Sequence, residues 1–439
     1  MDGADSRDLP HWRPRWRQAL PGQRYRGGYR FTVGNAVRLF HSGEPFFTAL
    51  LARIDAATTD VMLETYIFAD DGVGRAVSDA LLRAAARGVR VRVITDGLGT
   101  GRLRLLNEWP AGGIEHCIYN PHLFGRFGFS RTHRKLAVID QRFAYCGGIN
   151  IISDVEQNGV LLPFPRWDFA VELSGPSVAD VRAAFELQWC RIQPGRSPSS
   201  VAAAAVATAM AASVSANPNA NPSPDQTRES TSRRVWRRIR KRSFLAAGEP
   251  CVAFVARDNL INRRAIEKAY LVAIGKARAQ VLLANPYFMP GRKLRRALKH
   301  AAQRGVDVRL VIGKKEFAAL DYAVPFLYRS LLRAGVKIAE YERTMLHGKV
   351  AVVDSNWCTV GSSNLDALSL VLNNEANVLL VLHPEIDALR EALLVAFDEA
   401  HQINLATYEA RPAGERLLNW AAYTAYRTVM RLLTVGGYD

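Results

Sequence analysis

The feature that most constrains this chain is that it contains itself twice. HRKLAVIDQRFAYCGGIN, from His133 to Asn150, matches HGKVAVVDSNWCTVGSSN, from His347 to Asn364, at a constant offset of 214 residues. Upstream, AAARGVRVRVIT (Ala84 to Thr95) matches AAQRGVDVRLVI (Ala301 to Ile312), and each copy follows a strand-like run, VMLETYIF or VLLANPYF. Downstream, WDFAVELSGP answers NEANVLLVLHP. Each copy reads as strand, amphipathic helix, RGV turn and strand. The expected fold is therefore α/β: two tandem, pseudo-symmetric domains, each with a central β-sheet covered by helices.

Length and composition fit that division. At roughly 100 to 200 residues per domain, 439 residues make two or three domains, and 49% hydrophobic residues exclude disorder of the whole chain. The sharpest compositional break is VAAAAVATAMAASVSANPNANPSPDQ, too small and polar to form a core, followed by the basic VWRRIRKRSF. The predicted layout is a basic and aromatic arm over 1–30, a first domain over 31–195, a flexible linker over 196–234, a second domain over 235–405 and a C-terminal segment over 406–439. Five scattered cysteines without a C-x-x-C pair argue against a disulfide framework or a cysteine zinc cluster and suit a reducing compartment. No apolar run reaches the ~18 to 20 residues of a membrane span, and the arm lacks a signal-type apolar core, so a soluble or surface-bound protein is expected. A formal charge of +17 points to an anionic partner: nucleic acid, phosphorylated small molecules or an acidic membrane face.

Each copy carries His-x-Lys-x-x-x-x-Asp: His133, Lys135 and Asp140, then His347, Lys349 and Asp354. The following LAVI and VAVV are strand-like, so the motif is expected on a strand, with His and Lys on one face as a phosphate site. The aspartate, at i+7, has opposite parity and lies ~23 Å along an extended chain, so it cannot orient its own histidine and is placed in the turn at the strand end. Small residues follow: Gly147 and Gly148 in one copy, Gly361, Ser362 and Ser363 in the other. Each run ends in an asparagine, Asn150 or Asn364, able to donate an uncharged N–H to a phosphoryl oxygen. A histidine that attacks or carries a proton needs its second ring nitrogen held, and Asp168 and Glu375, at corresponding places, are the candidates. A lone strand histidine is ordinarily structural; two copies in register, each followed equally by Gly and Asn, are not. His41, His116, His122 and His401 show no such pattern and are read as structural. GVGRA near Gly72 lacks the dinucleotide fingerprint and reads as a helix start.

These paired motifs resemble the two HKD motifs that define the phospholipase D superfamily. Over residues 29 to 405, from YRFTVGNAVRLFHSGEPFFTALLARIDAATTDVMLETYIF to LHGKVAVVDSNWCTVGSSNLDALSLVLNNEANV, the chain looks like the bacterial cardiolipin synthases of the B type. The Ala/Ser/Pro-rich linker is the main departure. The resemblance implies two phospholipase D-like domains with the active site at their interface. It also implies catalysis by one histidine attacking phosphorus to form a phosphohistidine while the other protonates the departing alcohol and later deprotonates the incoming one. Lys135, Lys349, Asn150 and Asn364 would hold the equatorial oxygens, with no metal or cofactor. Both substrates would be phosphatidylglycerol, and the products cardiolipin and glycerol. Family precedent favours His133 as nucleophile; the sequence's pseudo-symmetry does not decide between the two. The alternatives are a hydrolytic phospholipase D, a phosphodiesterase or nuclease of the superfamily, and a non-catalytic lipid-binding protein.

Two segments favour an anionic lipid partner over nucleic acid. Trp12, Trp16, Tyr25 and Tyr29 interleave with Arg13, Arg15, Arg17, Arg24 and Arg26. From Arg416 to Val435 the helical pattern gathers Arg416, Thr424, Arg427, Thr428, Arg431 and Thr434 on one arc, with leucines, Trp420, Tyr423, Tyr426, Val429 and Met430 elsewhere. The expectation is peripheral attachment to the cytoplasmic face of a bacterial inner membrane; the oligomeric state stays open.

Overall fold

The computed structural model describes residues 29–434 apart from 123–124, 126, 158, 194–248, 259–261 and 315–317. Most of the expected arm, the linker and the basic segment after it lie outside the described residues. In the first unit the order is β1 (Thr32–Val33), β2 (Ala36–Phe40), α1 (Gly43–Asp55), β3 (Asp60–Thr65), α2 (Gly72–Ala86), β4 (Arg90–Asp96), β5 (Glu115–Tyr119), β6 (Leu136–Ile139) and β7 (Phe143–Gly147). The short β8 (Glu156–Gln157), β9 (Val160–Leu161) and β10 (Arg166–Trp167) follow, then β11 (Ala170–Ser174) and α3 (Val178–Ile192). The second unit runs β12 (Cys251–Arg257), α4 (Ala265–Lys276), β13 (Gln280–Asn285), α5 (Arg292–Gln303), β14 (Asp307–Gly313), α6 (Ala318–Ala323), α7 (Tyr328–Leu332) and β15 (Lys337–Tyr341). It ends with β16 (Met345–Leu346), β17 (Val350–Val353), β18 (Trp357–Gly361), β19 (Glu375–Val381), α8 (Glu385–Glu399), β20 (His401–Gln402), α9 (Leu405–Glu409) and α10 (Ala413–Leu433).

The units form two mixed sheets, β2-β11-β7-β6-β3-β4-β5 and β1-β12-β19-β18-β17-β13-β14-β15-β20. Matching strands occupy matching places: β6 lies between β3 and β7, and β17 lies between β13 and β18. Why LAVI and VAVV are apolar at every position follows from the layering. Leu136 and Val138 enter a core shared by the inner faces of both sheets, together with α3 and α8; Ala137 and Ile139 enter a separate core under α1 and α2. A strand covered on both faces loses the polar half of its alternation. The RGV turns are equally explicable: Gly88 and Gly305 stand at φ +85° and +88°, the left-handed conformation that ends α2 and α5 cheaply only with glycine. Gly72 opens α2, whose N-terminal Asp71 accepts the Gly74 N–H at 2.9 Å.

Around residue 31 the chain joins the second unit: β1 pairs with β12 in the second sheet, and Tyr29 and Phe31 are buried in the second unit's outer core. One expectation needs correction: the motif does not lie within the strand. His133 and Lys135 occupy the extended segment before β6, and His347 and Lys349 the one before β17. Their backbone groups are thereby freed from the sheet for partners in the other unit.

Asp140 and Asp354 sit at the opposite end of β6 and β17, both with positive φ, 50° and 53°. The Asp140 carboxylate accepts the N–H groups of Thr58, Thr59 and Asp60 at 2.8–3.2 Å and both threonine hydroxyls, pinning the start of β3. Burial raises the pKa of Asp140, but these bonds outweigh it and hold the carboxyl below its usual range. Asp354 holds Arg278, Ala279 and Gln280 alike at 2.8–3.3 Å. Asparagine tolerates the left-handed backbone but loses acceptor capacity. Asp140→Asn is expected to cost about 1–2 kcal/mol of stability, read by chemical denaturation, with turnover per folded molecule unchanged; a dead enzyme of unaltered stability would contradict this placement.

Candidate active site

The two histidine-bearing segments meet at the edge where the two units face each other, and each is strapped to the other unit. The His133 N–H donates to the Asn374 carbonyl at 2.9 Å, and Thr132 bridges Asn374 in parallel. Reciprocally, β16 pairs in parallel with β10, and the N–H groups of His347 and Gly348 both donate to the Trp167 carbonyl, at 2.9 and 3.0 Å. Asn374 and Trp167 each immediately precede a carboxylate, so the straps deliver Glu375 to His133 and Asp168 to His347.

The side chains follow. His133 Nδ1 lies 3.0 Å from the Ser362 carbonyl and 3.2 Å from Glu375 Oε2; His347 Nδ1 lies 2.6 Å from Asp168 Oδ2. A carbonyl oxygen and an ionised carboxylate only accept, so each Nδ1 carries the hydrogen and each ring presents a lone pair at Nε2. Both histidines are thus set in the form that can attack phosphorus or take up a proton. Lys349 Nζ also lies 2.8 Å from His347 Nδ1, a contact that cannot be a hydrogen bond while Nδ1 is protonated; the shorter carboxylate bond defines the tautomer. Lys135 and Lys349 each donate to the carbonyl of their own histidine, which brings ammonium and imidazole to one side.

Asp168 and Glu375 are reached through small residues. A Cβ on Gly148 would collide with the Asp168 carboxylate. In the second unit Ser362 stands at that position, and its hydroxyl bonds Glu375 Oε2 at 2.5 Å. Asn150 Oδ1 accepts the Ile67 N–H at 3.1 Å, which leaves Nδ2 as its donor; Asn364 is as buried as Asn150, at 6% exposure.

Electrostatics in this nearly dry cluster is dominated by desolvation. Burial lowers the pKa of His133, with Glu375 opposing and Lys135 assisting; burial and Lys349 bring His347 down to about 4 against the pull of Asp168. Both rings are therefore neutral at neutral pH. Lys135 falls to about 7 through burial and then the charge of Lys349. Asp168 and Glu375 are held below their usual range: burial raises them, but Lys349 and His347 for the one, and His133 and Lys135 for the other, prevail. Among the described residues no cluster of histidine, cysteine or carboxylate side chains could hold a metal ion.

Sequence reasoning named the two carboxylates without saying which histidine each serves; the pairing is crosswise. It missed Tyr66, whose ring lies 5.0 Å from the His133 ring and 5.4 Å from Lys135 Nζ. It missed Arg257, which holds the Val371 and Asn373 carbonyls that lead into Glu375. It also missed the buried Glu64, which binds Arg134 at 3.0 Å and the Thr132 hydroxyl beside His133. Only Tyr66 could have been found, as the residue where one copy of the strand ends in Thr-Tyr and the other in Asn-Pro.

Comparisons with known proteins place the chain in a family. A family model described as cardiolipin synthase, phospholipase D-like domain, matches residues 50–158 and 270–394. Cardiolipin synthase B of Escherichia coli K12 is 38% identical over 354 residues, 79% of this chain and 76% of that protein. A cardiolipin synthase of Geobacillus kaustophilus is 28% identical over 93% of this chain and 74% of its own length. In three dimensions the chain is similar to the phosphatidylserine synthase of Haemophilus influenzae, with a TM-score of 0.62 at 13% identity over 91% of this chain and 94% of that one, a likeness of fold alone. The chain therefore belongs to the phospholipase D-like cardiolipin synthase family, and by that membership it is an enzyme of the phosphatidyltransferase class.

The pH dependence of kcat/KM should be a bell. Its acid limb comes from protonation of His133, the ring expected to attack, whose pKa burial lowers, and its alkaline limb from Lys135 losing its charge above about 7. Lys135→Arg, charged throughout, should flatten the alkaline limb while lowering the maximum. An alkaline limb unmoved by that change would remove Lys135 as its source.

Proposed function

We propose that this enzyme transfers a phosphatidyl group from one phosphatidylglycerol to another, forming cardiolipin and releasing glycerol. The observation that carries the reading is the crosswise pair of neutral imidazoles, each with Nδ1 tied and Nε2 presented, between two lysines. His133 Nε2 attacks the phosphorus of the first lipid; an N–P bond forms as the P–O bond to glycerol breaks. His347, protonated once the anionic phosphodiester offsets Lys135 and Lys349, gives its proton to the departing glycerol oxygen. His347 Nε2 then takes the hydroxyl proton of a second phosphatidylglycerol, whose oxygen displaces His133 from phosphorus. Lys135, Lys349, Asn150 and Asn364 stabilise the charge on the equatorial oxygens. The assignment of attack to His133 rests on family precedent, and the greater side-chain exposure of His347, 21% against 11%, suits the histidine that must meet two alcohols in turn.

The membrane is the proposed partner, reached from its cytoplasmic face; among the described residues no helix is long and apolar enough to cross a bilayer. The C-terminal helix α10 contributes, in a form narrower than its sequence suggests. Asn419 and Met430 are buried, Tyr423 stacks on Phe326 at 4.5 Å, and Ala422 and Tyr426 pack against the second unit's core. The opposite side leaves Leu417, Leu418, Trp420, Val429 and Leu432 49–76% exposed, a face suited to an anionic interface.

The decisive assay incubates purified protein with labelled phosphatidylglycerol vesicles and separates the products. Cardiolipin and free glycerol in equal amounts are expected; phosphatidic acid alone would make the protein a hydrolase. His133→Ala and His347→Ala should each lose on the order of 10² to 10⁴ in rate, and a mutant keeping a tenth of the activity would end the two-histidine scheme. Because half of α10 is packed, truncation would expose core. Joint replacement of Leu417, Leu418 and Trp420 by serine should instead weaken vesicle sedimentation with an unchanged melting curve.

A further inference from the structure

Between Asn150 and Asp168 the first unit uses 17 residues where the second, between Asn364 and Glu375, uses 10. The second unit fills the interval with a single tight π-helical turn, Leu368–Leu372. The first builds a hairpin: β8 and β9 pair antiparallel, and the Leu162 N–H closes it on the Val155 carbonyl at 2.8 Å.

Successive residues of a strand point to opposite faces, yet Val160 and Leu161 are 68% and 76% exposed, so neither side chain of β9 packs on the protein. Val155 and Phe164 are 51% and 50% exposed. Pro163 and Pro165 bracket Phe164 and stiffen the returning limb, which keeps it from folding back. A free two-stranded hairpin is marginal in water, and four exposed apolar side chains do not explain themselves. The base, in contrast, is firm. Asp154 accepts the Gly43 N–H, the Ser153 N–H donates to Asp71 Oδ2 at 2.7 Å, and Arg166 donates to the Ser153 and Glu156 carbonyls. From that base the chain runs directly through Trp167, which holds the His347 backbone, to Asp168, which holds its ring.

We infer that this hairpin is the element that enters the lipid surface at the mouth of the active site, with Val155, Val160, Leu161 and Phe164 lying among acyl chains at the headgroup boundary of a bilayer containing phosphatidylglycerol. This rests on the proposed substrate. A lipid phosphodiester can reach Nε2 of His347 only if the bilayer surface lies against this edge, and the hairpin is rooted two residues from the carboxylate that orients that ring. Two further exposed apolar side chains stand on loops next to the His133 segment: Leu98, 57% exposed after β4, and Leu368, 36% exposed in the π-helical turn. An excess of 17 positive charges supplies attraction to an anionic surface. With α10 as a second contact, the hairpin would fix the orientation of the site and not merely its proximity.

The test uses the full chain. Leu161→Trp should show, over the eight native tryptophans, added fluorescence that shifts to the blue on phosphatidylglycerol vesicles and is quenched by lipids brominated along the acyl chain. The triple variant Val160→Ser, Leu161→Ser, Phe164→Ser should lose about tenfold or more in vesicle partitioning, even with α10 intact. Its melting curve and its turnover of short-chain phosphatidylglycerol below the micellar concentration should match the parent. Absence of quenching, undiminished partitioning of the triple variant, or a parent dimer in light scattering that the triple variant dissolves, would overturn the proposal, the last by making the hairpin a contact between copies. The two readings fail separately: quenching without any turnover of phosphatidylglycerol would retain the docking element and discard the substrate, whereas turnover without quenching would do the reverse.

Discussion

Everything at this site depends on one exchange: each imidazole is oriented by a carboxylate that the other unit supplies. Glu375 follows Asn374, which holds the His133 backbone, and Asp168 follows Trp167, which holds the His347 backbone. Neither unit alone contains a histidine with its tautomer fixed. The duplication is therefore a requirement of the chemistry as well as a history, and the shared core between the sheets has a function beyond stability. It holds two straps in register so that each carboxylate reaches the histidine of the other unit.

The same burial that fixes the rings disfavours isolated charge in the site. Two lysines stand beside two carboxylates already committed to histidines, and Lys135 is so disfavoured as a cation that its pKa falls to about 7. In the proposed reaction an entering phosphodiester brings an anion to this cluster. It would favour the charged form of Lys135 and raise the proton affinity of whichever imidazole faces the leaving oxygen, so that the substrate makes the acid that serves it. On that reading the lysines stabilise charge at the phosphoryl group, in a medium of low dielectric where such interactions are strong.

How far all this was legible in the sequence depends on range. Local periodicity gave the α/β class, the RGV turns and the parity that removes Asp140 and Asp354 from the histidines, because these are determined within a few residues. The chain could also mark Asp168 and Glu375 as equivalent, since repetition is a one-dimensional property. It could not tell that they serve crosswise, nor that β1 joins the second sheet, because pairings over some 200 residues are settled by the packing of two sheets on a common core. The buried supports Glu64 and Arg257 were invisible for a related reason. A charged residue in a strand looks solvent-exposed until the whole fold shows what surrounds it. In α10 the apolar arc was divisible in two ways, and only the position of Phe326 against Tyr423 shows which half is covered.

Where the two copies diverge is as informative as where they agree. Arg134 stands opposite Gly348 in the motif, Tyr66 opposite Pro286, Gly148 opposite Ser362, and a hairpin opposite a π-turn. All of these lie at the edge that carries the histidines, while the sheets behind them keep their register. A symmetric pair of histidines would attack and protonate indifferently; assigning one to the phosphorus and the other to the alcohols requires different surroundings. His133 is the more enclosed, sharing its Nδ1 hydrogen between a carbonyl and Glu375 beneath the Tyr66 ring. His347 has a single short bond to Asp168 and the more open approach, on the side where the hairpin stands. A covalent intermediate benefits from enclosure against water, and a proton shuttle needs access to two successive alcohols. The broken symmetry therefore supports the proposed division of labour at the points where the chemistry demands a difference.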